Sequence, residues 1–221
     1  MTASRVRPIG TLKPRLYAVV RVLGRGLLRL ILDVRVSGVE HVPSYGGVIV
    51  AGNHRGFIDG PMVGTFLPRP ATFLVKSEMF VGPWARALGW LGQIPVHRGR
   101  PDREALRLAR AVLERGDVLG VFPEGTRGSG SLDEVQHGIA YLALRAPLCP
   151  IVPVACLGTE AALPRGAKLP RWRARVDVVF GPPLMITPAA DPRLRRTVAA
   201  TAEEIRVALA AHIRTVEETR A

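Results

Sequence analysis

From Pro43 onward the chain alternates short β-branched apolar runs with stretches of helical periodicity, and this alternation restricts the fold more than any other feature of the sequence. Strands are expected at 47–52 (GVIVAG), 71–75 (ATFLV), 118–122 (VLGVF), 150–156 (PIVPVAC) and 174–180 (ARVDVVF), with helices at 60–67, 78–90, 102–115, 137–146 and 192–219. A run such as VIVA has no polar alternation, so both faces of its strand need cover, which helices between successive strands provide. The expected architecture is one α/β domain, a mixed and largely parallel sheet flanked by helices, preceded by an N-terminal amphipathic helical segment. No internal repeat or low-complexity tract interrupts it.

Several element ends carry their own signals. Asp102 is placed to cap the helix in which Leu106, Ala109 and Leu113 share a face, and Gly116 to end it in the left-handed conformation. Asp191-Pro192 opens the last helix, whose apolar positions are Leu194, Val198, Ile205, Leu209, Ile213 and Val216. The stretch 159–173 (TEAALPRGAKLPRWR) reads as the one long loop, and it is basic.

Residues 16–32 (LYAVVRVLGRGLLRLIL) place Arg21, Arg25 and Arg29 at four-residue steps, hence along one stripe of a helix, with leucine, valine and isoleucine on the other faces. The charges are too frequent for a transmembrane helix, and a signal peptide's cleavage site is missing. Two readings fit. The helix lies in a membrane interface with arginines toward headgroups and leucines in the acyl boundary, or it packs on the protein's own core with its arginines in water.

Charge sharpens the choice of partner. The 31 Lys+Arg and 18 Asp+Glu leave a net +13, held entirely by residues 1–35 (+7) and 161–196 (+6). A localised positive field suits a phosphate-rich partner: nucleic acid, an anionic membrane surface or an acidic carrier protein. Three Trp, three Tyr and six Phe are few for stacking on bases, which speaks against nucleic acid. Cys149 and Cys156 make neither a disulfide framework nor a zinc site, so a reducing compartment and no metal are expected.

Four blocks carry chemistry. After the first strand comes NHRGFIDGP, in which Asp59 can return to the ring of His54 if Gly56 allows a tight turn. A carboxylate on one imidazole nitrogen leaves the other free to take a proton. The alternative is a buried histidine beside a carboxylate that caps the next helix. The second block, GQIPVHRG, reads as a short strand ending at Arg98, whose guanidinium can fork onto a phosphate, while His97 reads as a structural or surface histidine. The third, FPEGTRG, brings Glu124, Gly125, Thr126 and Arg127 to another strand end, where ligands of open α/β sheets sit. The fourth, IVPVAC, is an apolar buried strand.

In this order the blocks resemble the lysophosphatidic acid acyltransferase family of glycerolipid acyltransferases, over about residues 37–185. NHRGFID is similar to the family's Asn-His-x4-Asp block, IPVHRG to its second, FPEGTRG to its Phe-Pro-Glu-Gly-Thr-Arg block and IVPVAC to its fourth. The resemblance implies His54 as general base and Asp59 as its orienting partner. It implies Lys76, Arg98, Glu124, Gly125, Thr126 and Arg127 around the glycerol-phosphate end of the acceptor. Gly56 stands where many members carry serine or another polar residue, and Gly128 where many carry serine after the Thr-Arg, departures that point to altered acceptor preference.

By the same resemblance the reaction is direct acyl transfer from acyl-coenzyme A or acyl carrier protein to lysophosphatidic acid in phospholipid biosynthesis, with no covalent intermediate, metal or redox cofactor. A serine nucleophile elbow is absent from GSGS, and Cys156 lies in an apolar run. Residues 1–36 are then a basic membrane-interface segment and 37–221 the acyltransferase domain, peripheral or monotopic on the cytoplasmic face of a membrane. Acyl transfer to another lysophospholipid or lyso-aminolipid, or non-catalytic binding of anionic lipid, are the alternatives.

Overall fold

The computed structural model describes residues 14–97, 102–125, 130, 132–187, 191 and 194–220. Among them the order is α1 (Pro14–Ile31), β1 (Asp33–Ser37), β2 (Val48–Gly52), α2 (Asp59–Phe66), β3 (Ala71–Lys76), α3 (Gly82–Trp90), β4 (Ile94–Val96), α4 (Arg103–Glu114), β5 (Val118–Val121), α5 (His137–Arg145), β6 (Ile151–Leu157), α6 (Thr159–Ala162), β7 (Arg175–Phe180) and α7 (Arg195–Arg220).

The strands form one sheet in the order β1-β7-β6-β2-β5-β3-β4. Every pairing is parallel except β6 with β7, so the sheet is the mixed, largely parallel one expected. All residues of β2, β5 and β6 are buried, as their unbroken apolar runs require. Successive side chains go to opposite faces. Ile49, Ala51, Leu119 and Ile151 join a core that also holds Ala109, Leu142, Ile205 and Leu209, from α4, α5 and α7. Val48, Val50, Val152 and Val178 join a second core with Met62, Val63 and Phe66 of α2.

Local chemistry explains the departures from expectation. The helix expected over 78–90 divides into a 3-10 turn at Ser77–Met79 and α3, because Gly82 adopts φ 52° and Pro83 occupies the first turn, where its missing N–H costs nothing. β1, an edge strand, was not among the expected runs, since DVRVS alternates charge with valine and is only partly covered. The basic loop begins as the single-turn α6. In α4 both expected ends form. Asp102 Oδ1 accepts the Ala105 N–H at 3.0 Å, and Gly116, at φ 80°, gives its N–H to Leu113 while Asp117 donates to Val112. The expected Pro192 start of the last helix lies outside the described residues.

The arginine stripe of α1 corrects the sequence reading. Arg25 Nε donates to the Thr65 carbonyl at 2.9 Å and its Nη2 to Leu67 at 3.1 Å, Arg21 donates to Leu67 and Pro68, and Arg29 lies over the Phe66 ring at 5.3 Å. Tyr17 adds a bond to Gly64 and receives one from Ala71. Arg21 and Arg25 therefore turn inward, because the last carbonyls of α2 have no partner within their own helix and guanidinium groups supply donors and the favourable charge, while Arg29 stays exposed above Phe66. The apolar face is the one left outside: Val19, Val22, Leu23, Leu27 and Leu30 are each more than half exposed. Both sequence readings had the arginines facing away from the protein. Arg25→Ala is expected to lower stability by about 1–3 kcal/mol by taking the donor from the Thr65 carbonyl and one of two from Leu67, read as a lower urea midpoint at unchanged slope.

Candidate active site

Because β2, β3, β4, β5 and β6 run parallel, their C-terminal ends share one edge of the sheet, and of the sequence-predicted residues His54, Asp59, Lys76, Glu124 and Gly125 lie there. The loop leaving β2 turns tightly enough for His54 Nδ1 to meet Asp59 Oδ2 at 2.8 Å. The same oxygen accepts the Gly56 N–H at 2.8 Å. Asp59 is fully buried and is the first residue of α2, not its cap, so its charge faces the positive end of the helix. Among the described residues its other oxygen, Oδ1, is buried and has no hydrogen-bond partner, so the bonds to the carboxylate fall on Oδ2, from His54 and Gly56.

Three further contacts fix the imidazole. Its ring stacks on Phe122, with centroids 4.6 Å apart and planes 22° from parallel. Its backbone N–H donates to Glu124 Oε1 at 2.8 Å. One residue earlier, the buried Asn53 completes a two-bond bridge to the neighbouring strand, accepting from the Cys156 N–H at 2.8 Å and donating to the Cys156 carbonyl at 2.9 Å. This extends the β2–β6 ladder past Gly52 with a side chain in place of backbone.

Glu124 thus has a role the sequence did not reveal. Burial raises its carboxyl above the usual range, against the opposing pull of N–H groups from His54 and Gly130, and it ties the ends of β2 and β5 together. Gly125 follows at φ 70°, in the left-handed region that makes glycine the ready choice. Lys76 ends β3, two strands from β2 and so about 10 Å away laterally. Its ammonium lies 3.3 Å from Glu78, in an exposed pair. Arg98, Thr126 and Arg127 lie outside the described residues. Cys156 is buried and its thiol pushed well up by that burial, so it remains the inert packing group expected.

Two features escaped the sequence reading. Arg55 reaches across to α7 and meets Glu217 at 2.5 Å, fastening the β2–α2 loop to a helix 162 residues away. No local pattern signals such a pair. His97 repeats the spacing of the first dyad: its Nδ1 lies 2.9 Å from Asp102 Oδ2, which also accepts its backbone N–H, while the ring is 56% exposed. Burial opposes ionisation of Asp102, but bonds from Ala105 and His97 outweigh it and hold the carboxyl at about 2. The signal was legible as His-x4-Asp.

A positioned imidazole with a buried carboxylate behind it, on a sheet edge that also carries a lysine and a glycine turn, suits proton abstraction from a hydroxyl. A family model described as Acyltransferase matches residues 33–157, more than half of the chain. The chain belongs to this family.

This acyltransferase is 28% identical over 160 residues to the 1-acyl-sn-glycerol-3-phosphate acyltransferase of Bacillus subtilis, covering 72% of the chain and 77% of that protein. It is 38% identical over 122 residues to the lyso-ornithine lipid O-acyltransferase of Pseudomonas aeruginosa, covering 52% of the chain but 44% of the relative. Its fold matches the crystal structure of the 1-acyl-sn-glycerophosphate acyltransferase of Thermotoga maritima with a TM-score of 0.68 at 25% identity, over 93% of this chain and 80% of that one. Within the acyltransferase, Gly56 has a steric reason. A Cβ there would sit 2.7 Å from Thr159 Oγ1 and 2.9 Å from the Thr159 backbone, closer than real contacts allow.

Two outcomes test this geometry. Asn53→Ala leaves the Cys156 N–H and carbonyl buried without partners and should cost about 1–3 kcal/mol for each, measured by chemical unfolding. Asp102→Asn should be less stable than the parent at pH 6. Since the folded carboxyl is held at about 2, below its ordinary 3.8, this stability is present above pH 3.8, and the gap should close as pH falls toward 2.

Proposed function

We propose that this acyltransferase moves a fatty acyl group from an acyl thioester, on coenzyme A or acyl carrier protein, to the free hydroxyl of lysophosphatidic acid, giving phosphatidic acid for phospholipid biosynthesis. The observation that carries the mechanism is the 2.8 Å bond between His54 Nδ1 and the fully buried Asp59. With Nδ1–H given to the carboxylate, Nε2 keeps its lone pair. It accepts the hydroxyl proton as the acceptor oxygen bonds to the thioester carbon. The tetrahedral oxyanion then collapses, the carbon–sulfur bond breaks, and the proton passes from His54 to the departing sulfur. Asp59 stabilises the imidazolium between these two steps, and no acyl-enzyme forms.

In this reading Lys76, Arg98, Gly125, Thr126 and Arg127 surround the acceptor's glycerol-phosphate, with Glu124 holding the loops that present them. The enzyme works on the cytoplasmic face of a membrane, as a peripheral or monotopic protein. The exposed apolar face of α1 supports that placement, and among the described residues no helix is long and apolar enough to cross a membrane. A second acceptor, a lyso-aminolipid, is favoured by the likeness to the lyso-ornithine lipid enzyme.

His54→Ala should lower acceptor-dependent thiol release from acyl-coenzyme A by about 10²–10⁴-fold with folding intact, and Asp59→Asn should also lower kcat. An undiminished rate in His54→Ala removes the mechanism. Competition between lysophosphatidic acid and lyso-ornithine lipid assigns the acceptor, and vesicle binding without turnover on either would leave a non-catalytic lipid-binding protein.

A further inference from the structure

The antiparallel β7 has a positional consequence. Its first residues lie beside the end of β6, with Asp177 opposite Leu157, so the connection before it emerges on the same sheet edge as His54. β1 runs parallel to β7, which brings the end of α1 to that edge as well. The two segments are joined there: the Arg173 N–H donates to the Ile31 carbonyl at 2.6 Å, and the Asp33 N–H to Ala174 at 3.1 Å. Arg173 holds φ 57°, an uncommon conformation for a side-chain-bearing residue, at this joint.

The composition of the connection is uneven. Residues 163–173 contain Arg165, Lys168, Arg171 and Arg173 and no acidic residue. Among these cations stand two large apolar side chains turned to solvent, Leu169 at 79% and Trp172 at 68% exposure. Trp172 is one residue from the joint, and Leu30, at 63% exposure, is one residue from it on the α1 side. The apolar face of α1 therefore continues, across the Arg173–Ile31 bond, into a tip that combines tryptophan and leucine with a cluster of cations.

We infer that the 163–173 connection is a second membrane contact, which docks on anionic lipid beside α1 and sets the His54 edge of the sheet against the bilayer surface. This rests on the membrane-bound acyl transfer proposed above. The occupant follows from the chemistry: tryptophan belongs at the headgroup level, leucine below it, and cations toward anionic lipid. An acidic carrier protein would satisfy the cations and leave the apolar pair without a purpose.

The test uses Trp172 as a probe. Trp84→Phe/Trp90→Phe leaves it the sole tryptophan of the chain. With vesicles of phosphatidylglycerol and phosphatidylcholine bearing brominated acyl chains, Trp172 emission should shift to the blue and be quenched, and with phosphatidylcholine alone much less. Lys168→Glu/Arg171→Glu/Arg173→Glu in the same background should weaken binding to the anionic vesicles at least about tenfold. It should leave transfer to detergent-dispersed acceptor unchanged. If the double variant folds poorly, Trp172→Ser in the parent chain should remove the quenchable part of the signal.

Sedimentation with vesicles while Trp172 emission stays unchanged overturns the proposal and leaves α1 as the contact. A Trp172 response to acyl carrier protein but not to vesicles overturns it in favour of a carrier dock. Failure to sediment at all overturns the membrane placement, while turnover on dispersed acceptor tests acyl transfer separately.

Discussion

A carboxylate with no access to water must be compensated where it stands, and Asp59 sets that demand at the centre of the molecule. Its Oδ2 takes two donors, the Gly56 N–H and His54 Nδ1, and its helix presents the positive end. The turn between His54 and Asp59 therefore has little freedom. It must bring a backbone N–H and a ring nitrogen to one oxygen, and it must pass close to Thr159, where a side chain at position 56 has no room. The geometry of the His54–Asp59 pair and the compensation of a buried charge are one arrangement.

That arrangement is braced from every side of the sheet edge. Asn53 fastens it to β6, Glu124 to the end of β5, Phe122 covers the imidazole, and Arg55 holds the loop to α7. At the far end of α2, Tyr17, Arg21 and Arg25 of α1 take the free carbonyls. One eight-residue helix thus carries the carboxylate bonded to His54 at its start and the attachment of α1 at its finish.

What was legible in the sequence was local. The alternation of runs revealed the class of fold because unbroken apolar strands need cover on both faces, and the dyad was legible because five residues span it. The ends of α4 were legible for the same reason. The bracing was not: Asn53 meets Cys156 across 103 residues and Arg55 meets Glu217 across 162, and a single sequence does not show which distant groups will be neighbours. The orientation of α1 failed differently. Periodicity separates the arginine face from the leucine face but does not say which one the protein keeps. Free carbonyls at the end of α2 decided it, and nothing near residues 16–32 announces them.

These separations also bear on how the molecule is made. The His54–Asp59 pair closes a loop of five residues, whereas its supports close loops of 70, 103 and 162. Short loops close early and long ones late, after the sheet has brought their ends together. The His54–Asp59 contact is thus local, while what holds it still is not. The pair is fully braced only once residues from both ends of the domain have come together, so its finished geometry depends on the whole sheet and on α7.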